Sequence, residues 1–264
     1  MSRSVKALII INAILIVTNI FVYHFYAKER LESKKEFKQI AYDFFNYIGE
    51  GNYNKAAELC GPSVLNISNI NEYDIVNKIS VEKMDVKRLF NNKGYIEADL
   101  SLLVKIANNE FDNVWYNVIY DKENKRIISV NYIEPYMEDS RGSINQKDIE
   151  DIQSTCVSFI SYVNSGNYAE AAKYLSGKSR VDMEKNLESL PKGGIPLNPF
   201  DVNIEVVAKN RSSDMALVNI TYKTDYGSNG DGVYRVFVAE KLVKCGDKWK
   251  IASTFVRGNQ KVQS

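Results

Sequence analysis

The groups that could do chemistry are few, and their spacing does not bring them together. The chain holds one histidine, His24, and it lies inside an apolar N-terminal stretch. The rest of the chain therefore offers no histidine for a metal site or for a Ser-His or Cys-His pair. Cys60, Cys156 and Cys245 form no C-x-x-C and no zinc spacing. Cys60 and Cys156 fall on helix-like segments and read as buried thiols. Cys245 falls in a turn, and the spacing leaves one disulfide open. Asp43 on a first helix, and Asp182 and Glu184 on a later helix-like segment, have the side chains of pocket acids. Each reads more simply as part of a solvated helix face. Asp225, Asn229 and Asp231 in DYGSNGDG have calcium-ligand chemistry. The run lacks the acid that an EF-hand needs at its twelfth position, and it fits a hairpin turn better. The expectation is no catalytic, cofactor-binding or metal-binding residue, no cofactor, and no enzyme.

The balance of charge narrows the partners. Against 34 Lys and Arg stand 33 Asp and Glu in 264 residues, so no basic excess exists to neutralise phosphates and a nucleic-acid partner is not expected. The 45% hydrophobic and 25% charged composition is that of a chain able to bury a core, which excludes a disordered chain, a collagen and a multi-span membrane protein.

One end is different. From Ala7 to Ala27 the 21 residues carry no formal charge, and a membrane-spanning helix needs about 20. Arg3 and Lys6 precede the run, Lys28 closes it, and Tyr23, Phe25 and Tyr26 sit where interfacial aromatics belong, with His24 among them. The run is longer than a signal-peptide core and no small-x-small site follows it. It predicts an uncleaved single-pass anchor over residues 7–27, after a short tail over 1–6. Lys28, Arg30, Lys34, Lys35 and Lys38 outnumber the cations before the run and favour a cytoplasmic C-terminal side, but long domains translocate largely regardless of charge. The first glycine is Gly49 and the first proline Pro62. Nothing before them must break a helix, so the anchor is expected to run on into the first domain.

The chain also repeats itself. FFNYIGEGNYNKAA, from Phe44 to Ala57, matches FISYVNSGNYAEAA, from Phe159 to Ala172, at seven of fourteen positions and an offset of 115. Chance would give about one. The shared residues are Phe44, Tyr47, Gly51, Asn52, Tyr53, Ala56 and Ala57 in one copy, and Phe159, Tyr162, Gly166, Asn167, Tyr168, Ala171 and Ala172 in the other. Phe37, Ile40, Ala41, Phe44, Tyr47 and Ile48 keep to one helical face. Gly51 and Gly166 fall where a helix wants a left-handed residue to end on. Asn52 and Asn167 suit the turn, and Tyr53 or Tyr168 then opens a short second helix. These are packing positions, not a site in each copy.

Strand periodicity follows in both copies. Ile96 to Val104, Trp115 to Tyr120 and Ile128 to Tyr132 alternate in the first; Val202 to Val206, Ala216 to Tyr222, Tyr234 to Val238 and Trp249 to Ser253 do so in the second. Helices first, then about four antiparallel strands, gives an α+β class with helices on one face of a curved sheet. The domains are expected over 28–137 and 145–258, joined by a linker over 138–144 that overlaps the polar run Glu134 to Ser143, with a tail over 259–264.

The G-N-Y-x-x-A-A hinge and the terminal Lys248-Trp249-Lys250-Ile251 strand resemble the nuclear transport factor 2-like superfamily of cone-shaped α+β domains. The first copy departs from that strand with Lys125-Arg126-Ile127-Ile128. The resemblance implies two tandem cone-shaped domains behind the anchor and carries over no site residue. The layout is similar to proteins of bacterial conjugation and type IV secretion channels. The wealth of Asn, Lys and Ile resembles that of an AT-rich Gram-positive bacterium. The resemblance implies a non-enzymatic, membrane-anchored assembly component, its soluble part outside the cytoplasm, with protein partners or copies of itself. The alternative is an anchored module that holds a small ligand or cell-wall fragment in a domain cavity.

Overall fold

The computed structural model describes residues 3–65, 80–106, 109–137, 139–192, 199–224 and 232–262. Within the first helix, the side chains of residues 3–14, 17, 20, 21 and 25 lie outside the described ones. The chain is a mixed α+β structure of two sheet-and-helix halves. The first runs α1 (Arg3–Gly49), α2 (Tyr53–Glu58), α3 (Pro62–Leu65), β1 (Ser80–Asn91), β2 (Tyr95–Lys105), β3 (Phe111–Asp121) and β4 (Arg126–Tyr132). The second runs α4 (Gln146–Asn164), α5 (Tyr168–Ala172), α6 (Gly177–Lys185), a 3-10 turn (Leu187–Ser189), β5 (Phe200–Lys209), β6 (Met215–Thr224), β7 (Tyr234–Cys245) and β8 (Lys248–Lys261). Each sheet is a four-stranded antiparallel meander in chain order.

Each half buries its long helix against one sheet face. Phe37, Ala41, Phe44 and Ile48 of α1 pack on Ile96, Leu100, Val118 and Tyr120. Ile152 and Cys156 of α4 pack on Val218, Ile220, Leu242, Trp249 and Ile251. The duplicated hinge is the same object twice. Gly51 and Gly166 stand at φ +71 and +74, and Asn52 and Asn167 share φ −87 and ψ 65. The Asn52 N–H donates to the Tyr47 carbonyl at 2.7 Å and the Asn167 N–H to that of Tyr162 at 2.9 Å. Each asparagine side chain then caps the short helix that follows. The equivalence continues past the shared sequence, because Cys60 bridges Ile127 as Leu175 bridges Ile251.

The structure alters several expectations. Strand β1 was not legible: bulges between Val81 and Lys83 and between Val86 and Arg88 put its apolar residues three, two and three apart, which breaks the alternation of a strand. Cys245 ends β7 and is buried, where a turn was expected, and all three cysteines are free. Strand β8 continues to Lys261, beyond the expected boundary at 258. Glu134 to Ser143 is no loose tether: Pro135 is buried, and the Gly142 N–H donates to the Lys209 carbonyl at 2.8 Å. The helix α1 runs unbroken from Arg3 to Gly49, as the absence of breakers predicts. Among the described residues no helix is long and apolar enough to cross a membrane, and most side chains of the 7–27 run lie outside them. All of the DYGSNGDG segment but its last glycine, residues 225–231, also lies outside the described residues.

Two glycine types separate cleanly. Gly51→Ala and Gly166→Ala should each cost about 1–2 kcal/mol through the left-handed backbone alone. Gly142→Ala should cost more and free the strap, since a Cβ there would sit 2.0 Å from the Asn210 carbonyl oxygen. Urea unfolding of the three variants, with proteolysis of 134–143 as the local readout, checks both.

Candidate functional site at the junction of the two sheets

Alternation gives each sheet a second face, and these faces meet. Trp115 of β3 packs with Met215, Val243, Cys245 and Ala252 of the second sheet, and Phe111, Ile133, Tyr136 and Met137 close around them. The segment after β4 is therefore wedged between the sheets.

Polar groups lock this apolar contact. Asp112 and Asn113, at the start of β3, reach the N-terminus of α6. The Ser176 hydroxyl donates to the Asp112 carboxylate, and the Gly177 N–H donates to the same oxygen at 3.1 Å. The Asn113 N–H reaches Ser176 Oγ at 3.3 Å, and its side-chain amide reaches the Lys244 carbonyl at 3.4 Å. A carboxylate at a helix N-terminus satisfies N–H groups that have no partner within the helix and meets the positive end of its dipole. Ser176 is fully buried and Asp112 nearly so. The cluster ties the start of β3 to the start of α6 as a buried latch.

Ion pairs ring the latch. Lys87 of β1 meets Asp214 at 2.7 Å, with its ammonium 5.4 Å from the centre of the Trp115 ring. Burial pushes the Asp214 carboxyl up, but Lys87, Asn210 and Ser212 together hold it below the usual range. Arg180 joins Glu110 at 3.3 Å and Lys241 joins Glu134 at 3.7 Å. On the outer face of the first sheet, buried Asp99 accepts from Arg88, Asn117 and the Tyr136 hydroxyl at 2.9, 2.7 and 2.6 Å. Burial, then the Asp112 charge, push the Cys245 thiol up to about 12, which removes it as a nucleophile.

No family model and no curated protein matches the chain. A solved structure described as an "Ntf2 like protein involved in plasmid conjugation" is similar to it at 12% identity and a TM-score of 0.27, over 85% of this chain and 95% of that one.

The second core holds a further acid. Glu240 on β7 is 3% exposed, with the Cys156 thiol 3.3 Å away and the Thr254 hydroxyl 3.4 Å away. Burial pushes its carboxyl up to about 7 against the pull of those two groups. An open groove of about 510 Å³ lies between α4 and the start of β5, lined by Val157, Ile160, Ser161, Asn164, Pro199 and Val202. The acids singled out from sequence serve neither place. Asp43 accepts from Gln39, Asp182 pairs with Lys178, and Glu184 pairs with Arg180, each on an exposed helix face. Among the described residues no three His, Cys, Asp or Glu side chains cluster as metal ligands would. Of the repeat positions, Phe44, Ala56, Tyr168, Ala171 and Ala172 are core, while Tyr53 and Ala57 are exposed. Sequence reasoning missed Asp112, Ser176 and Glu240. Only Glu240 left a signal, an acid at an apolar step of the Val236-Val238-Leu242 alternation.

Asp112→Ala should lower stability by about 1–3 kcal/mol, since it takes the acceptor from the Gly177 N–H and leaves the Ser176 hydroxyl only the Asn113 carbonyl at 3.0 Å, and should open 134–143 to protease. Urea unfolding should then show two steps in place of one. Glu240 yields a pH signature. From about 4.5, the ordinary glutamate value, up to about 7 the folded chain keeps a proton that the unfolded chain has lost. Stability therefore falls as pH rises through that window and levels off above it. Glu240→Gln should flatten the slope and gain about 2–3 kcal/mol above pH ~7, read as melting temperature against pH.

Proposed function

We propose that the chain is a non-enzymatic, membrane-anchored structural component of a bacterial envelope assembly of the conjugation or secretion kind. In this reading residues 7–27 cross the membrane once and two nuclear transport factor 2-like modules stand outside the cytoplasm, held to protein partners or to further copies. One observation carries it: the apolar N-terminal run and the first core share a single helix. The 47 residues of α1 make a rod about 70 Å long, whose last turns bury Phe37, Ala41 and Phe44 completely. The latch fixes the second half to the first, so the whole body would move with the rod. A rigid mount suits a part that holds position in a larger machine.

A second reading, an anchored module for a small ligand or cell-wall fragment, is favoured by the groove beside Val157 and Val202. The native mass of the full-length protein, taken from its own membranes in mild detergent, separates the two. A high-mass species with reproducible partners is expected. A lone monomer would turn the assignment to ligand binding, and release from membranes by alkaline carbonate would remove the anchor.

A further inference from the structure

The two halves are equivalent up to the bridges at Ile127 and Ile251 and then part company. Strand β4 spans seven residues, after which the Ile133 N–H turns back to the Trp115 carbonyl at 3.0 Å and the chain enters the junction. Strand β8 spans fourteen and runs on beside the first half of β7, pairing Ala239 with Phe255, Val238 with Val256 and Tyr234 with Lys261.

β8 is an edge strand, and only its beginning is covered. The Ser176 N–H donates to the Ile251 carbonyl and the Ile251 N–H to that of Tyr174, both at 2.8 Å. The Ser179 hydroxyl donates to the Ala252 carbonyl at 2.7 Å. Beyond Ala252, among the described residues, no backbone group bonds to the outer edge. Phe255 and Val256 are 43% and 70% exposed there, and Phe237 across the ladder is 38% exposed. The edge carries one bulge, at Arg257, and its large apolar side chains are Phe255 and Val256; an unpaired edge of this length is a feature that folds usually cover or shorten.

Charge selects among occupants. Within the open stretch from Ser253 to Lys261 the charged residues are Arg257 and Lys261, with no acid, and Arg235 lies opposite on β7. A second β8 laid along this edge would set cations against cations, which disfavours a direct cross-strand pair. A lipid surface would leave the edge N–H and C=O groups without partners. An extended protein segment rich in Asp and Glu answers both the bare backbone and the charge.

We propose that the edge of β8 from Ser253 to Lys261 takes up an acidic, extended segment of a partner protein as a fifth strand of the second sheet. This rests on the assembly reading only in requiring a protein partner. The probe is a random peptide library displayed on phage, selected on the full-length protein in detergent. Selected peptides should alternate acids with β-branched residues and slow amide exchange within Ser253–Lys261. Arg257→Glu combined with Lys261→Glu should weaken the best peptide at least about tenfold and leave the melting temperature unchanged. Val256→Pro should abolish binding, and the charge reversal remains decisive if that variant fails to fold. Selected peptides without acids, protection elsewhere, or indifference to charge reversal would overturn the proposal. So would equal protection of these amides by anionic vesicles, or by raising the protein concentration until the mass doubles. A high native mass without peptide capture would sink this site alone and spare the assembly reading.

Discussion

Asp112 belongs to the first sheet, yet it closes the N-terminus of a helix in the second half. A helix start buried without acceptors is costly, so α6 keeps its position only while the first half lies where it does. The apolar contact around Trp115 supplies the burial, but hydrophobic contact is not directional. The carboxylate and the Asn113 amide fix which of many greasy arrangements is adopted. The wedged segment after β4, the Lys87–Asp214 pair and the strap at Gly142 all presuppose that register.

This ordering explains what could be read from the residues beforehand. The hinges were legible because their chemistry is local: a glycine that must be left-handed, an asparagine that caps the next turn. The inner sheet faces were legible by alternation. Strand β1 was not, because two bulges break its alternation. The junction was not, because Asp112 and Ser176 lie 64 residues apart, and nothing local announces that their elements meet. The carboxylates singled out on helices, Asp43, Asp182 and Glu184, sit where exposed helix faces usually put them. Glu240 interrupts a visible apolar rhythm, and such interruptions are the better guide to a buried acid.

The two halves also show how a duplication is reused. The shared hinge and the shared bridge to the last strand keep each helix on its sheet. What differs lies outside that frame. The first half gives its outer face and the end of β4 to the junction. The second gives an outer face too, but sends its last strand onward into solvent. Internal stability and outward reach are thus divided between copies of one plan.

The sequence distances across the latch bear on how the chain assembles. Hairpin partners within each sheet are near neighbours in sequence, whereas Asn113 and Lys244 meet over 131 residues. Closing short loops comes before closing long ones. Each half should collapse first, with Trp115 and Cys245 still facing water, and the docking of one onto the other is the final step. A newly made chain therefore passes through a stage in which its stickiest surfaces, later hidden, are open to neighbours. That interval of exposure is when wrong pairings arise.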